Sequence, residues 1–129
     1  LVGASNSDFI SKPLIFREEG SATRSVMEKY FKNFKKGIKK IELESNEAVK
    51  QALLADIGIS ILPLIGLKNE LNSQQLQIIP QKKLPITTQW RIVWRKDKNL
   101  SPVAKAFLDS IQLNKKAIIE KYFKWYDTY

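Results

Sequence analysis

The chain has 129 residues, of which 43% are apolar and none is Cys or His. This length supports one domain with a sizeable core. The missing residue types exclude disulfides, Cys-based metal sites and the commonest general base. The formal net charge of +9 either helps solubility or favours an acidic ligand. We therefore expect no metal, no cofactor and no enzymatic reaction, and no run is long enough for a membrane-spanning helix.

The first predicted unit is a strand followed by a turn and a helix. Leu14 to Arg17 is a short apolar run that ends in charge, and Gly20 marks a turn. A helix is predicted from Ser21 to Lys36, because apolar residues then recur at spacings of three and four. Gly37 is expected to end this helix.

Six lysines lie between residues 29 and 40, interleaved with Tyr30, Phe31 and Phe34. Such a stretch can track phosphates and stack on bases in a nucleic acid. At helical spacing, however, the aromatic residues share a face with Val26 and Met27, and most lysines fall on the other side. We favour a buried aromatic face backed by solvated lysines.

The same alternation of strand and helix continues along the chain. A strand is predicted at Lys40 to Glu44, then a helix capped by Ser45 or Asn46 that runs to about Asp56. A buried strand, Ile59 to Leu62, ends at Pro63. This order predicts an α/β domain with a mainly parallel sheet.

The second half of the chain is less regular. A short helix is predicted within Leu64 to Leu71, and strands at Leu76 to Ile79 and Gln89 to Arg95. Ser101 followed by Pro102 is typical of a helix start. The apolar residues expected inside that helix are Val103, Ala104, Phe107, Leu108 and Ile111. The aromatic and lysine-rich stretch Lys115 to Tyr129 is expected to dock on the body or to self-associate, with a membrane-surface helix as the less favoured alternative.

Two predicted strand-to-helix turns are candidates for a ligand site, since ligands of open α/β sheets collect at the carboxyl ends of strands. At the first turn, Ser21 and Thr23 would offer hydroxyls and helix N-terminal N–H groups to an anion, although capping is the alternative for these hydroxyls. Arg17 or Arg24 would add positive charge, with surface ion pairs to Glu18, Glu19 or Glu28 as the alternative.

Three segments, in this order, resemble the effector-binding domain of LysR-type transcriptional regulators. The first is Pro-Leu-Ile-Phe-Arg-Glu-Glu-Gly-Ser-Ala-Thr-Arg at residues 13–24, and it is similar to the carbon-fixation regulators of that family. The second joins Ile41-Glu-Leu-Glu-Ser-Asn-Glu-Ala-Val-Lys to Ala55-Asp-Ile-Gly-Ile-Ser-Ile-Leu-Pro. The third is Trp94-Arg-Lys-Asp-Lys-Asn-Leu-Ser-Pro-Val-Ala-Lys-Ala-Phe-Leu.

The resemblance implies a lobe of the type-2 periplasmic-binding-protein kind, which senses a small anionic metabolite to control transcription. Residues 1–112 would form a partial effector-binding domain and residues 113–129 a C-terminal helical extension. The implied site residues are Arg17, Gly20, Ser21, Thr23, Ser45, Asn46 and Glu47. The resemblance also implies a cytoplasmic homo-oligomer that contacts DNA only through a helix-turn-helix domain absent from this chain. A stand-alone or transport-type solute-binding lobe is the alternative.

Overall fold

A computed structural model describes residues 1–5, 11–32, 37 and 39–129 of the chain. The described residues divide into two compact units, Leu1–Pro85 and Ile86–Tyr129. The predicted last turn of the first helix, residues 33–36, lies outside the described residues.

The first unit contains four short strands, which form two ladders. They are β1 (Val2–Ala4), β2 (Leu14–Arg17), β3 (Lys40–Leu43) and β4 (Leu76–Ile78). β2 pairs with β3 in parallel, with Phe16 opposite Glu42 and Arg17 opposite Leu43. β1 pairs with β4 in antiparallel fashion. The described ladders are therefore half parallel and half antiparallel.

Residues 59 and 60 connect the two ladders. The Ile15 N–H donates to the Ile59 carbonyl at 2.9 Å, and the Ile59 N–H donates to the Pro13 carbonyl at 3.0 Å. Ser60 exchanges two backbone hydrogen bonds with Val2, at 2.8 and 3.0 Å. The predicted strand at Ile59 to Leu62 is thus reduced to two bridges, one parallel and one antiparallel.

Helices follow the strands in the predicted order. They are α1 (Ala22–Phe31), α2 (Asn46–Leu54), α3 (Lys68–Asn72) and α4 (Pro102–Tyr122), with 3₁₀ turns at Leu64–Gly66 and Lys124–Thr128. α1 follows β2 and α2 follows β3. Because β2 lies between β3 and Ile59, and parallel crossovers are almost always right-handed, α1 and α2 belong on opposite faces of the sheet.

The core of the first unit fixes where α1 begins. Met27 of α1 is fully buried in a cluster with Leu14, Phe16 and Ile59. Phe31 packs edge-on against Phe16, with ring centroids 6.5 Å apart. By strand alternation Ile15 points to the other face, where it is also fully buried. Burial of this apolar face holds the first turn of α1 beside the carboxyl end of β2.

The second unit departs from the predictions. Residues 89–95 pair with no strand in the part of the chain that the structure describes, so the strand predicted there is wrong. The predicted burial along α4 is also wrong, since Val103 is 80% and Phe107 63% exposed. Ala104, Leu108 and Ile111 are only half-buried. The periodicity predicted the helix correctly, but burial also needs a neighbour that covers the apolar stripe.

The start of α4 agrees with the sequence. The Ser101 hydroxyl accepts a hydrogen bond from the Ala104 N–H at 3.2 Å, and Pro102 occupies the first turn.

Helix α4 continues without a break past residue 112 and is followed by clustered aromatic rings, with the ring centroids of Trp125 and Tyr126 4.3 Å apart. The division at residues 112 and 113 stays a prediction. Among the described residues, no helix has the length and apolarity needed to cross a bilayer.

Candidate functional site

The candidate site lies where β2 and β3 end and α1 and α2 begin. The two strands are parallel neighbours, so their carboxyl ends lie at the same edge of the sheet. Their helices leave toward opposite faces, and this divergence opens a crevice between adjacent strand ends. Arg17, one of the seven predicted site residues, is the last residue of β2, and the other six follow the two strand ends: Gly20, Ser21, Thr23, Ser45, Asn46 and Glu47.

The turn between β2 and α1 is closed by a backbone hydrogen bond. The Ser21 N–H donates to the Glu18 carbonyl at 3.2 Å. Gly20, in the third position of this turn, has φ +87°, which glycine adopts without a Cβ penalty. No atom lies within 4 Å of where a Cβ would sit, so backbone conformation, rather than space, requires this glycine.

The N-terminus of α1 has no side-chain cap. Ser21 occupies the N-cap position with φ −66° and ψ 133°, yet its hydroxyl caps no N–H group. The described residues also provide no acceptor for the amides of Ala22, Thr23 and Arg24. The Thr23 hydroxyl likewise has no protein partner in the described ranges. The capping alternative is therefore wrong for Ser21, and three N–H groups at the positive end of the helix dipole are left for a ligand or water.

The N-terminus of α2 is capped in the ordinary way. The Ser45 hydroxyl accepts a hydrogen bond from the Ala48 N–H at 3.0 Å. Asn46, the first residue of α2, instead directs its side-chain oxygen to Arg17, whose Nη1 donates to it. Ser45 is thus occupied locally, while Asn46 joins the two strand ends.

Arg17 is held by a carboxylate as well as by Asn46. Its Nε and Nη2 both donate to Glu18, each at 2.6 Å, as a two-point contact. This hydrogen bonding raises the pKa of Arg17 and lowers that of Glu18, so both groups stay charged around neutral pH. The ion pair proposed as the alternative for Arg17 is therefore present.

Arg24 is also bound by carboxylates. Its Nε donates to Glu28 at 2.8 Å and its Nη1 donates to Glu42. Hydrogen bonding to Glu42, then to Glu28, raises the pKa of Arg24. Nη1 also donates to the Arg17 carbonyl at 3.0 Å, which ties α1 to the end of β2. Arg24 supports the shape of the site, and the ion-pair alternative with Glu28 is present.

Glu47 is engaged on its own helix. Gln51 Nε2 donates to it at 2.9 Å and Lys50 Nζ lies 2.9 Å from its other oxygen. The hydrogen bond from Gln51, followed by that from Lys50, lowers the pKa of Glu47. Lys50 also pairs with Glu70 at 3.1 Å. Glu47 accordingly holds the side chains of Lys50 and Gln51 on its own helix.

This arrangement suits binding of a small anion better than catalysis. It offers three amide N–H groups, the Ser21 and Thr23 hydroxyls, and the remaining donors of the Arg17 guanidinium. The described residues contain no cluster of three or more Asp or Glu side chains that would hold a metal ion.

Sequence reasoning did not assign a role in the site to Glu18 or Glu42. It treated Glu18 only as a surface partner of an arginine, and it placed Glu42 in a predicted strand without a role. The adjacent Arg17-Glu18 pair was the available signal for the first. The role of Glu42 follows from its position opposite Phe16 in the parallel ladder of β2 and β3, and that register depends on tertiary structure.

A family model described as the LysR substrate binding domain matches residues 3–114. The HTH-type transcriptional activator CmpR of Synechocystis is 39% identical over 110 residues, which cover 84% of this chain and 36% of CmpR. The RuBisCO operon transcriptional regulator of Allochromatium vinosum is 37% identical over 98 residues, which cover 75% of this chain and 32% of that protein. The chain thus spans about a third of the length of these curated relatives.

A solved structure has the same fold. It is the CcmR regulatory domain of Synechocystis PCC6803, in complex with 2-PG. The TM-score is 0.77 at 27% identity, and the match covers 87% of this chain and 60% of that domain. This similarity confirms the predicted fold class, an α/β lobe of the type-2 periplasmic-binding-protein kind.

Proposed function

This chain belongs to the family of LysR substrate-binding domains, as the resemblance in the sequence predicted, and from that premise we propose that it senses a small anionic metabolite for a transcriptional regulator. Its relatives include regulators named for control of transcription. The CcmR regulatory domain was solved in complex with 2-PG. We take 2-PG as the probe for this chain.

The observation that carries the proposal is the uncapped start of α1. The amides of Ala22, Thr23 and Arg24 have no acceptor in the described part of the chain, whereas the start of α2 is capped by Ser45. An anion placed against α1 would accept hydrogen bonds from these N–H groups and interact favourably with the helix dipole. The difference between two neighbouring helices supports a ligand at α1.

Arg17 and Asn46 complete the proposed site. Arg17 Nη1 donates to the Asn46 side chain, so the guanidinium is held at the crevice from both strand ends. Arginine suits this position because its planar fork matches a carboxylate or phosphate. The anion would therefore contact β2, α1 and α2 together, and its binding would favour one arrangement of these elements over others.

The remaining roles concern the whole regulator. We propose that DNA is contacted through a helix-turn-helix domain that lies outside these 129 residues, in keeping with the names of the relatives. Self-association and a cytoplasmic location are proposed on the same family basis. We assign no catalytic reaction to this chain, since its relatives here are regulators and the sequence has no His or Cys for acid–base or nucleophilic chemistry.

A thermal-shift experiment on the 129-residue chain tests the proposal. The melting temperature is measured with about 10 mM 2-PG and, as a control, with NaCl at matched ionic strength. A ligand concentration of about ten times Kd adds about 1.4 kcal/mol of stability, which raises Tm by several degrees. Arg17→Gln should reduce this rise, while Arg91→Gln, which removes the same charge from an exposed residue in the other unit, should not.

Two outcomes of this experiment count against the proposal. No rise in Tm for the unchanged chain would exclude 2-PG as a ligand of this chain. An equal rise in Arg17→Gln and in the unchanged chain would move the ligand elsewhere.

A further inference from the structure

We propose that Glu18 is an internal competitor for the anion, a carboxylate that occupies the fork of Arg17 until a ligand displaces it. This inference rests on the proposed function, since it concerns the same site. In this role Glu18 determines how tightly Arg17 binds an anion and which anions Arg17 prefers.

The geometry of the pair is that of a carboxylate ligand. Both oxygens of Glu18 are engaged, one by Nε and one by Nη2 of Arg17, each at 2.6 Å. This two-point contact is the one an arginine makes with the carboxylate of a bound molecule. Glu18 therefore uses the Nε and Nη2 pair of donors that suits a two-point anion, and Asn46 takes one more on Nη1, which leaves two of the five N–H groups.

The surrounding cations cannot readily replace Arg17. Arg24 is paired with both Glu28 and Glu42, and Lys50 with both Glu47 and Glu70. Each described cation that borders the two helix starts thus carries its own carboxylate. Although the chain has a net charge of +9, an anion approaching this edge meets neutralised cations.

An anion can displace Glu18 from Arg17 because water reaches both side chains. The side chain of Glu18 is 33% exposed and that of Arg17 is 16% exposed. The pair is part-buried, and an anion that takes the place of Glu18 restores to Arg17 the contact that it loses, so the exchange itself costs little. The displaced Glu18 side chain can rotate into solvent. The backbone hydrogen bond from the Ser21 N–H to the Glu18 carbonyl does not involve this side chain and stays in place.

A selectivity follows from this competition. A monocarboxylate that displaces Glu18 exchanges one carboxylate on Arg17 for another and gains little. A phosphate group carries about −1.5 to −2 charges near neutral pH and three acceptor oxygens, so it can take Arg17 and the α1 amides at once. Glu18 should accordingly disfavour monocarboxylates more than phosphate-bearing anions.

The test compares Glu18→Gln with Glu19→Gln. Both variants remove one negative charge from the same turn, but the Glu19 side chain makes no ion pair or hydrogen bond within the described ranges. Affinities for 2-PG and for acetate are measured by NMR titration of the 129-residue chain, and urea unfolding checks that each variant is folded. We expect Glu18→Gln to bind 2-PG about three- to tenfold more tightly than the unchanged chain. Glu19→Gln should stay within about twofold.

Acetate gives a second readout that a merely structural role of Glu18 would not change. Its affinity should rise by a larger factor than that of 2-PG in Glu18→Gln. Equal affinities of the two variants would overturn the inference and leave the site itself standing. Weaker binding by Glu18→Gln would overturn it too, and would make Glu18 a group that positions Arg17. If neither the unchanged chain nor any variant binds 2-PG, the proposed function fails and this inference fails with it.

Discussion

Asn46, the first residue of α2, accepts a hydrogen bond through its side-chain oxygen from Nη1 of Arg17, the last residue of β2. The two residues are 29 positions apart in the chain, and their contact joins the end of β2 to the start of the helix that follows β3. In the proposed function this contact holds the guanidinium beside the crevice that the start of α1 borders, where three amides have no protein acceptor in the described part of the chain.

Asn46→Ala should weaken binding of 2-PG about three- to tenfold, because Arg17 loses the contact that holds it at the crevice. Alanine is well tolerated in the first turn of a helix, so the free energy of unfolding should change by less than about 0.5 kcal/mol. NMR titration and urea unfolding measure the two quantities. Asn69→Ala on α3 is the matched control and should alter neither. A large loss of stability in Asn46→Ala would show that this contact serves mainly to hold the fold.

Ser45→Ala should destabilise the chain by about 1 kcal/mol, because the Ala48 N–H loses its cap. Ser21→Ala should change stability by less than about 0.5 kcal/mol, since the Ser21 hydroxyl caps no N–H group. Urea unfolding of the two variants provides the comparison. Equal losses would mean that Ser21 caps α1 in solution, and α1 would then offer less to a ligand.

Gly58→Ala should destabilise the first unit by about 2 kcal/mol or more, because the new Cβ would lie 2.6 Å from the Pro13 carbonyl oxygen. That carbonyl accepts the Ile59 N–H that joins β2 to residues 59 and 60, so the backbone must shift. Gly66→Ala is the control, since nothing lies within 4 Å of its Cβ position. Thermal unfolding of both variants should give a much lower Tm for Gly58→Ala only; near-identical values would contradict the described bridge.

Glu47 should stabilise the chain in a pH-dependent way. Its pKa in the folded chain is lowered below the ordinary value of 4.5 by Gln51 and Lys50. The stabilisation is therefore fully present above pH 4.5 and is lost as the pH falls through the lowered folded pKa. Urea unfolding of the unchanged chain and Glu47→Gln, from pH 7 to about pH 3, should show a stability difference that shrinks with acidification. A difference that is constant over this range would rule out the Lys50 and Gln51 contacts as its source.

Local patterns in the sequence were sufficient to predict the order of elements around the site. The apolar run at Leu14, the turn at Gly20 and the helical spacing through Met27 predicted β2 and α1. The cap of α2 was predicted at Ser45 or Asn46, and the structure has it at Ser45. These features depend on residues close together in the chain. The strand-end position of the site then followed from the α/β order.

Features that depend on distant residues could not be predicted in this way. The contact of Arg17 with Asn46 requires the parallel register of β2 and β3, which no local pattern reveals. In the second unit, the apolar spacing of Val103 and Phe107 predicted a helix face correctly and its burial wrongly. Burial depends on a covering neighbour, which periodicity does not reveal.

The most direct test of the central claim, that a small anion binds at the start of α1, is an amide NMR titration of the 129-residue chain with 2-PG. The account predicts that the amides of Ala22, Thr23 and Arg24 shift most, together with the side-chain amide of Asn46, and that NaCl at matched ionic strength does not reproduce these shifts. Saturable shifts confined to other residues, or the same shifts with NaCl, would contradict it.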